Sequence, residues 1–152
     1  MSAKLPYPMA MLQSGRSHDP FALLGLHRTG ERPVVRTFMP QAESVELDGF
    51  GAMARIPNTD IFEILLSEEQ LAELPAHYRF TWVEKADGQS YSEISPYSFA
   101  PLLADLDLHL FGEGRHHHVY RVLGAHCIEI DGISGCRFAV WALSVSWRRR
   151  DP

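Results

Sequence analysis

The chain has 152 residues, a net charge of −5 and a hydrophobic share of 45%. That share supplies a real core and excludes wholesale disorder, and the negative balance argues against nucleic-acid binding, which favours basic patches. No apolar run approaches the ~18 residues needed to span a bilayer, and Pro6 and Pro8 break the N-terminal stretch that a secretory signal would need, so no membrane partner and a cytoplasmic location are expected.

Residues 1–14 read as a disordered, frayed N-terminus. Asp19-Pro20 has the form of a helix start, with Asp as N-cap and Pro at the first helical position, and Gly25 closes the short turn Phe21–Leu24. Strands are expected over Pro33–Met39, Ser44–Leu47, Phe50–Ile56 and Ile61–Leu66, with turns at Asp48-Gly49 and Pro57–Asp60. The lack of polar alternation in Ile61–Leu66 predicts burial on both faces or in a sandwich core. Ser67-Glu68-Glu69-Gln70 has the S-x-x-Q form of a capping box and opens a helix to Leu74, closed by Pro75. His77–Glu84 alternates, with Tyr78, Phe80 and Trp82 on one face. Asp87-Gly88 then turns the chain into Gln89–Ile94. About six short strands at near-regular spacing predict an all-β, immunoglobulin-like β-sandwich over residues 15–100, with short peripheral helices covering its rims.

Residues 101–122 read as a helix, from Pro101 to Phe111 with Asp105 and Asp107 facing water, followed by a linker from Arg115 to Tyr120. Residues 123–142 read as a hairpin around Asp131-Gly132, the first, incomplete part of a second sandwich. In its second strand Phe138 and Val140 lie on one side and Arg137, Ala139 and Trp141 on the other. A two-residue turn pairs residues whose numbers sum to 263, which sets Cys127 opposite Cys136; in a reducing cytosol both are expected as thiols. Residues 143–152 form an atypical tail. Val34–Pro40 echoes Cys136–Ala142, as two tandem related modules would.

The segments H-D-P-F-A-L-L-G-L-H (His18–His27), V-R-T-F-M-P-Q-A (Val35–Ala42), Y-R-F (Tyr78–Phe80), P-Y-S-F-A-P-L-L (Pro96–Leu103), E-G-R-H (Glu113–His116) and Leu123–Ala142 carry a family resemblance in their order and spacing. Together they resemble the N-terminal region of bacterial glycogen branching enzymes, the 1,4-α-glucan branching enzymes of the α-amylase superfamily. The resemblance implies an N-terminal sandwich, then a glycogen-binding-type sandwich, then a (β/α)₈ barrel that carries the chemistry. On that reading this chain is a non-catalytic module that packs on the next module and guides α-glucan chains. Its partners are then α-glucan (glycogen or maltooligosaccharide), held weakly, and the remaining domains of the enzyme. Leu143–Arg150 departs from the family pattern, as a frameshift, an early stop or an engineered end would make it. The alternatives are a purely structural or interaction sandwich and a non-functional truncated remnant.

No catalytic residue is expected. Retaining glycoside chemistry needs two carboxylates ~5–5.5 Å apart, and the acids here are scattered over turns, strand faces and helix surfaces. His116-His117-His118 is the one tempting metal motif, but neighbouring histidines point in different directions, so a linker with surface histidines is expected, with no metal and no cofactor. His18, His27 and His126 read as polar anchors of loop ends. No G-x-S-x-G nucleophile motif occurs. Exposed aromatic rings can stack on the apolar faces of glucose units, which makes Trp82, Tyr91 and Tyr97 the candidate carbohydrate-binding residues. Against this, the spacing of two among Tyr78, Phe80 and Trp82 suits the sandwich core.

Overall fold

The computed structural model describes residues 5–17 and 19–140. His18, Trp141 and the tail 143–152 lie outside the described residues. The chain divides into two compact units, Met1–Ala100 and Pro101–Pro152.

The first unit opens with helix α1 (Tyr7–Gln13), where the sequence suggested a frayed end. The two prolines that read as breakers suit a helix start, because a first-turn residue has no intrahelical use for its N–H. Leu12 then buries itself with Leu24 and Ile61, and Met9 packs beside them. A single 3₁₀ turn, Pro20–Ala22, follows. Asp19 precedes it but its side chain makes no capping bond, contrary to the expected N-cap. Gly25 does end this turn, at φ +92°, but it also begins a strand that the sequence did not reveal, β1 (Gly25–Thr29). The chain continues through β2 (Arg32–Phe38), β3 (Ala42–Leu47), β4 (Gly51–Ala52), β5 (Ala54–Arg55), β6 (Ile61–Leu65), α2 (Glu68–Glu73), β7 (Arg79–Glu84) and β8 (Ser90–Ile94).

These strands form two antiparallel sheets in the orders β1-β2-β6-β5 and β4-β3-β7-β8, the all-β sandwich that the turn spacing predicts. The expected single strand Phe50–Ile56 is divided between them. β4 pairs with β3 in one sheet and β5 with β6 in the other. Met53 sits at the crossing, buried, with its N–H donating to the Val45 carbonyl at 2.9 Å. A strand that changes sheets makes a sandwich corner, and Gly51 at φ +110° supplies a bend there that other residues resist.

The core between the sheets is Val35, Ala42, Val45, Leu47, Met53, Phe62, Leu66, Tyr78 and Phe80. A second cluster, Leu12, Leu24 and Ile61 with Phe38, Ile56 and Tyr97 against it, lies on the other side of β6. Successive strand residues point to opposite faces. Ile61 and Phe62 therefore enter different clusters, which explains the absence of polar alternation in this strand. The Ser67–Gln70 capping box is formed: Gln70 N–H donates to Ser67 Oγ at 3.1 Å, and Ser67 N–H donates to Gln70 Oε1 at 2.9 Å.

The second unit contains α3 (Asp105–Gly112), a 3₁₀ turn at Val119–Arg121, and the hairpin β9 (Gly124–Ile130) and β10 (Ile133–Ala139). α3 starts at Asp105 rather than Pro101. Its boundary is marked by the Asp107 carboxylate, which accepts from the Ala104 N–H at 3.3 Å. Asp107 does not simply face water, and the three histidines do not behave alike. His116 Nε2 lies 2.9 Å from Asp107 Oδ1 with its side chain only 9% exposed, while His117 and His118 are exposed. Asp131 and Gly132 both have positive φ, 52° and 78°, as a type I′ turn requires. The pairing then follows the expected register, with Ile130 opposite Ile133 and Cys127 opposite Cys136.

The sequence echo is longer in three dimensions. Each unit contains a 3₁₀ turn followed by Leu-Gly-x-His and a hairpin. In each, the Gly is in positive φ, 92° at Gly25 and 103° at Gly124. In each, the His ring returns to the Leu carbonyl: His27 Nε2 to Leu24 O at 3.0 Å, and His126 Nε2 to Leu123 O at 2.9 Å. The histidine satisfies a carbonyl that the turn leaves without a ladder partner.

Candidate functional site

Two of the three candidate aromatics meet. Trp82 on β7 and Tyr91 on β8 are direct cross-strand partners, so their side chains share one face of the sheet. Their rings stack with centroids 5.9 Å apart and planes 27° apart. Trp82 is half-buried and packs against the sandwich core, while Tyr91 is 44% exposed on the edge strand β8. The pair therefore runs from the core to the open margin of the sheet.

Both polar ends are held by carboxylates. Trp82 Nε1–H donates to Glu84 Oε2 at 3.2 Å, and Tyr91 O–H donates to Asp87 Oδ2 at 2.9 Å. Glu84 is two residues beyond Trp82 on the same strand face, and Asp87 stands in the turn. Asp87 is fixed from a second side, its Oδ1 accepting from the Gln89 N–H at 2.9 Å. That bond and the Tyr91 hydroxyl hold the Asp87 carboxyl below its ordinary range, and the same carboxylate pushes the Tyr91 hydroxyl up. The result is a hydrophobic ring surface edged by oriented acceptors, which can receive ring C–H faces on one part and hydroxyl donors on the other.

Tyr97 is elsewhere. It belongs to the cluster formed by Leu12, Leu24 and Ile61, where its ring meets Phe21 edge-on with centroids 5.1 Å apart. Its backbone also lies against Gly25, where an added Cβ would come within 3.0 Å of the Tyr97 carbonyl oxygen. Burial pushes its hydroxyl up. Tyr97 thus has a packing role whatever else it contacts. Sequence reasoning missed Glu84 and Asp87. The i, i+2 spacing of Trp82 and Glu84 was available as a signal, whereas the reach of Tyr91 back to Asp87 depends on the hairpin closing.

Other polar groups are engaged in the framework. Arg28 makes a two-point contact with Glu68 at 2.8 and 3.1 Å beside a shallow pocket lined by Leu26, His27, Arg28, Pro33 and Leu71. Arg36 pairs with Glu63 at 2.9 Å. Among the described residues, no group of three or more His, Cys, Asp or Glu side chains is placed to hold a metal ion, and no helix is long and apolar enough to cross a membrane.

Two antiparallel sheets with an aromatic pair at the edge of one define a β-sandwich module that presents a ring surface. The chain belongs to the family described as the alpha-1,4-glucan branching enzyme GlgB N-terminal domain, whose sequence model matches residues 6–97. It is similar to proteins named 1,4-alpha-glucan branching enzyme GlgB from several bacteria. It is 47% identical to that of Hydrogenovibrio crunogenus over 135 residues, 89% of this chain and 18% of the relative. The identity is 48% over 141 residues for Methylococcus capsulatus and 48% over 139 for Thiobacillus denitrificans, covering 92% and 91% of this chain and 18% of each relative. The chain thus spans about a fifth of the length of these curated relatives, 18% in each case.

Proposed function

We propose that this chain is a non-catalytic N-terminal module of a 1,4-α-glucan branching enzyme, and that it guides α-glucan chains over the Trp82–Tyr91 surface. The observation that carries the glucan role is the stacked aromatic pair at an open sheet edge, with Glu84 and Asp87 fixed at its polar ends. Glucose units in an α-glucan present apolar faces and rim hydroxyls, and this surface has a complement for each. A small site of two stacked rings on a sheet edge suits weak, repeated contact along a chain. The family match supports the module assignment. Packing against the next module of a longer enzyme, and the absence of branching activity in this chain alone, are parts of the same proposal.

Calorimetric titration with maltoheptaose and glycogen tests it. Saturable binding in the millimolar range, at least tenfold weaker in Tyr91→Ala and unchanged in a variant of the remote Arg28–Glu68 pair, is the expected result. A second reading, a purely structural sandwich, is favoured by the packing of Trp82 against the core. It predicts no saturable binding at any accessible oligosaccharide concentration. An iodine-stain assay on amylose addresses the catalytic part: the stain should be unaffected by the chain, and a shift toward branched glucan would contradict the proposal.

A further inference from the structure

The hairpin of the second unit carries a feature that the branching-enzyme reading does not use. Cys127 on β9 and Cys136 on β10 are direct register partners. The two-residue turn makes Ile130 and Ile133 a hydrogen-bonded pair, and pair types alternate outward from it, so Cys127 and Cys136 fall on a non-hydrogen-bonded position. There, Cα atoms approach to about 4.5 Å, within the span of about 4.4–6.8 Å that a disulfide bridges. The two sulfur atoms lie 3.1 Å apart, and both residues are exposed as thiols. Their neighbours on the same strand face, Ala125, Glu129, Ser134 and Phe138, are exposed as well, so in the 152-residue chain the pair is open to solutes. The hydrogen bond to Cys127 pushes the Cys136 thiol up.

We propose that Cys127 and Cys136 form a solvent-accessible dithiol modification site that closes into a cross-strand disulfide by exchange with a low-molecular-weight disulfide. In the first step, with Cys127 as the first nucleophile (Cys136 serves equally in the reverse order), the Cys127 sulfur, as thiolate, attacks one sulfur of the small disulfide R–S–S–R. A Cys127–S–S–R bond forms, the original S–S bond breaks, and one R–S⁻ leaves and takes a proton from water. In the second step Cys136 releases its proton and its sulfur attacks the Cys127 sulfur, expelling the second R–S⁻, which is protonated in turn. The two protein thiols lose two electrons and two protons, and one R–S–S–R becomes two R–SH. The new bond ties β9 to β10 away from the turn, where hairpin ends otherwise fray.

The full chain incubated with oxidised glutathione at mildly alkaline pH tests this by intact-mass measurement. The expected product is a monomer lighter by two hydrogens, carrying no glutathione, and restored by dithiothreitol. Cys136→Ser should instead trap one glutathione as a stable adduct on Cys127, because the second step is lost. Both positions are exposed, so Ser is tolerated at either. Hydrogen exchange gives an independent readout, with amides of β9 and β10 expected to slow several-fold in the oxidised chain and those of the first unit to stay unchanged. Wild-type chain that retains glutathione, forms a disulfide-linked dimer, keeps both thiols free, or oxidises without slowing exchange in the hairpin would overturn the proposal.

Discussion

Gln13 and Asp60 bond to each other twice. Gln13 Nε2–H donates to Asp60 Oδ2 at 2.8 Å, and the Asp60 backbone N–H donates to Gln13 Oε1 at 2.8 Å. One side chain thus satisfies both the carboxylate and the main chain of a turn residue 47 positions away. Arg55 reaches the other carboxylate oxygen at 2.7 Å, and Lys85 approaches it at 3.6 Å while donating to the Pro40 carbonyl. Asp60 is the point at which α1, β5 and the end of β7 are fastened to the turn before β6.

Gln13→Ala removes both bonds at once and leaves the Asp60 N–H to find water. A loss of about 1–2 kcal/mol is expected, read as a lower urea midpoint with unchanged slope. α1 should also become accessible to protease before the sandwich unfolds. An unchanged midpoint would mean that α1 is held by Leu12 and Met9 alone.

Gly25→Ala tests the entry to β1. The residue is at φ +92°, and an added Cβ would meet the Tyr97 carbonyl oxygen at 3.0 Å and the Tyr97 Cβ at 3.2 Å. Backbone strain of this kind costs on the order of 1–3 kcal/mol, and the steric contact adds to it, because a backbone atom cannot swing aside. Gly88→Ala is the matched comparison, with φ +67° and open space around it. Thermal melts should place Gly25→Ala clearly below Gly88→Ala; equal losses would show that Tyr97 yields.

The Asp87–Tyr91 pair gives the β7–β8 hairpin a pH window. Asp87 titrates lower in the folded chain than in the unfolded one, so its contribution is present above the ordinary carboxylate range and is lost as pH falls through the folded value. Tyr91 titrates higher in the folded chain. Its contribution is complete below the ordinary tyrosine value and is lost as pH rises through the folded one. Carboxyl and ring resonances of the two residues, followed by NMR, should titrate at the low and high ends respectively. In Asp87→Asn the upward displacement of Tyr91 should shrink, leaving only the part that desolvation and Glu84 supply; an undiminished displacement would detach the two groups.

Much of the fold was legible because local chemistry and tertiary structure agree. The alternation of Tyr78, Phe80 and Trp82, the Ser67–Gln70 box and the Asp131-Gly132 turn each specify a conformation within a few residues, and the tertiary structure uses each of them. What escaped depends on distant partners. β1 is an edge strand with little apolar alternation, and its conformation is fixed by pairing with β2. Phe50–Ile56 reads as one strand because Gly51 marks a bend but not that Gly51-Ala52 and Ala54-Arg55 join different sheets. α1 is a short helix held by Leu12 and by Asp60, neither of which periodicity over Tyr7–Gln13 can reveal. The candidate site divides in the same way. The ring types were visible, but only the β7–β8 register joins Trp82 to Tyr91 and leaves Tyr97 in another cluster.

A glucan-guiding role requires the Trp82–Tyr91 surface to meet the sugar, and an amide- and indole-resolved NMR titration of the full chain with maltoheptaose tests this most directly. The predicted result is a saturable shift of the Trp82 indole N–H and of amides in β7 and β8, with no comparable change around Tyr97 or in the hairpin β9–β10. Saturable shifts confined to another region, or none up to the solubility of the sugar, would contradict it.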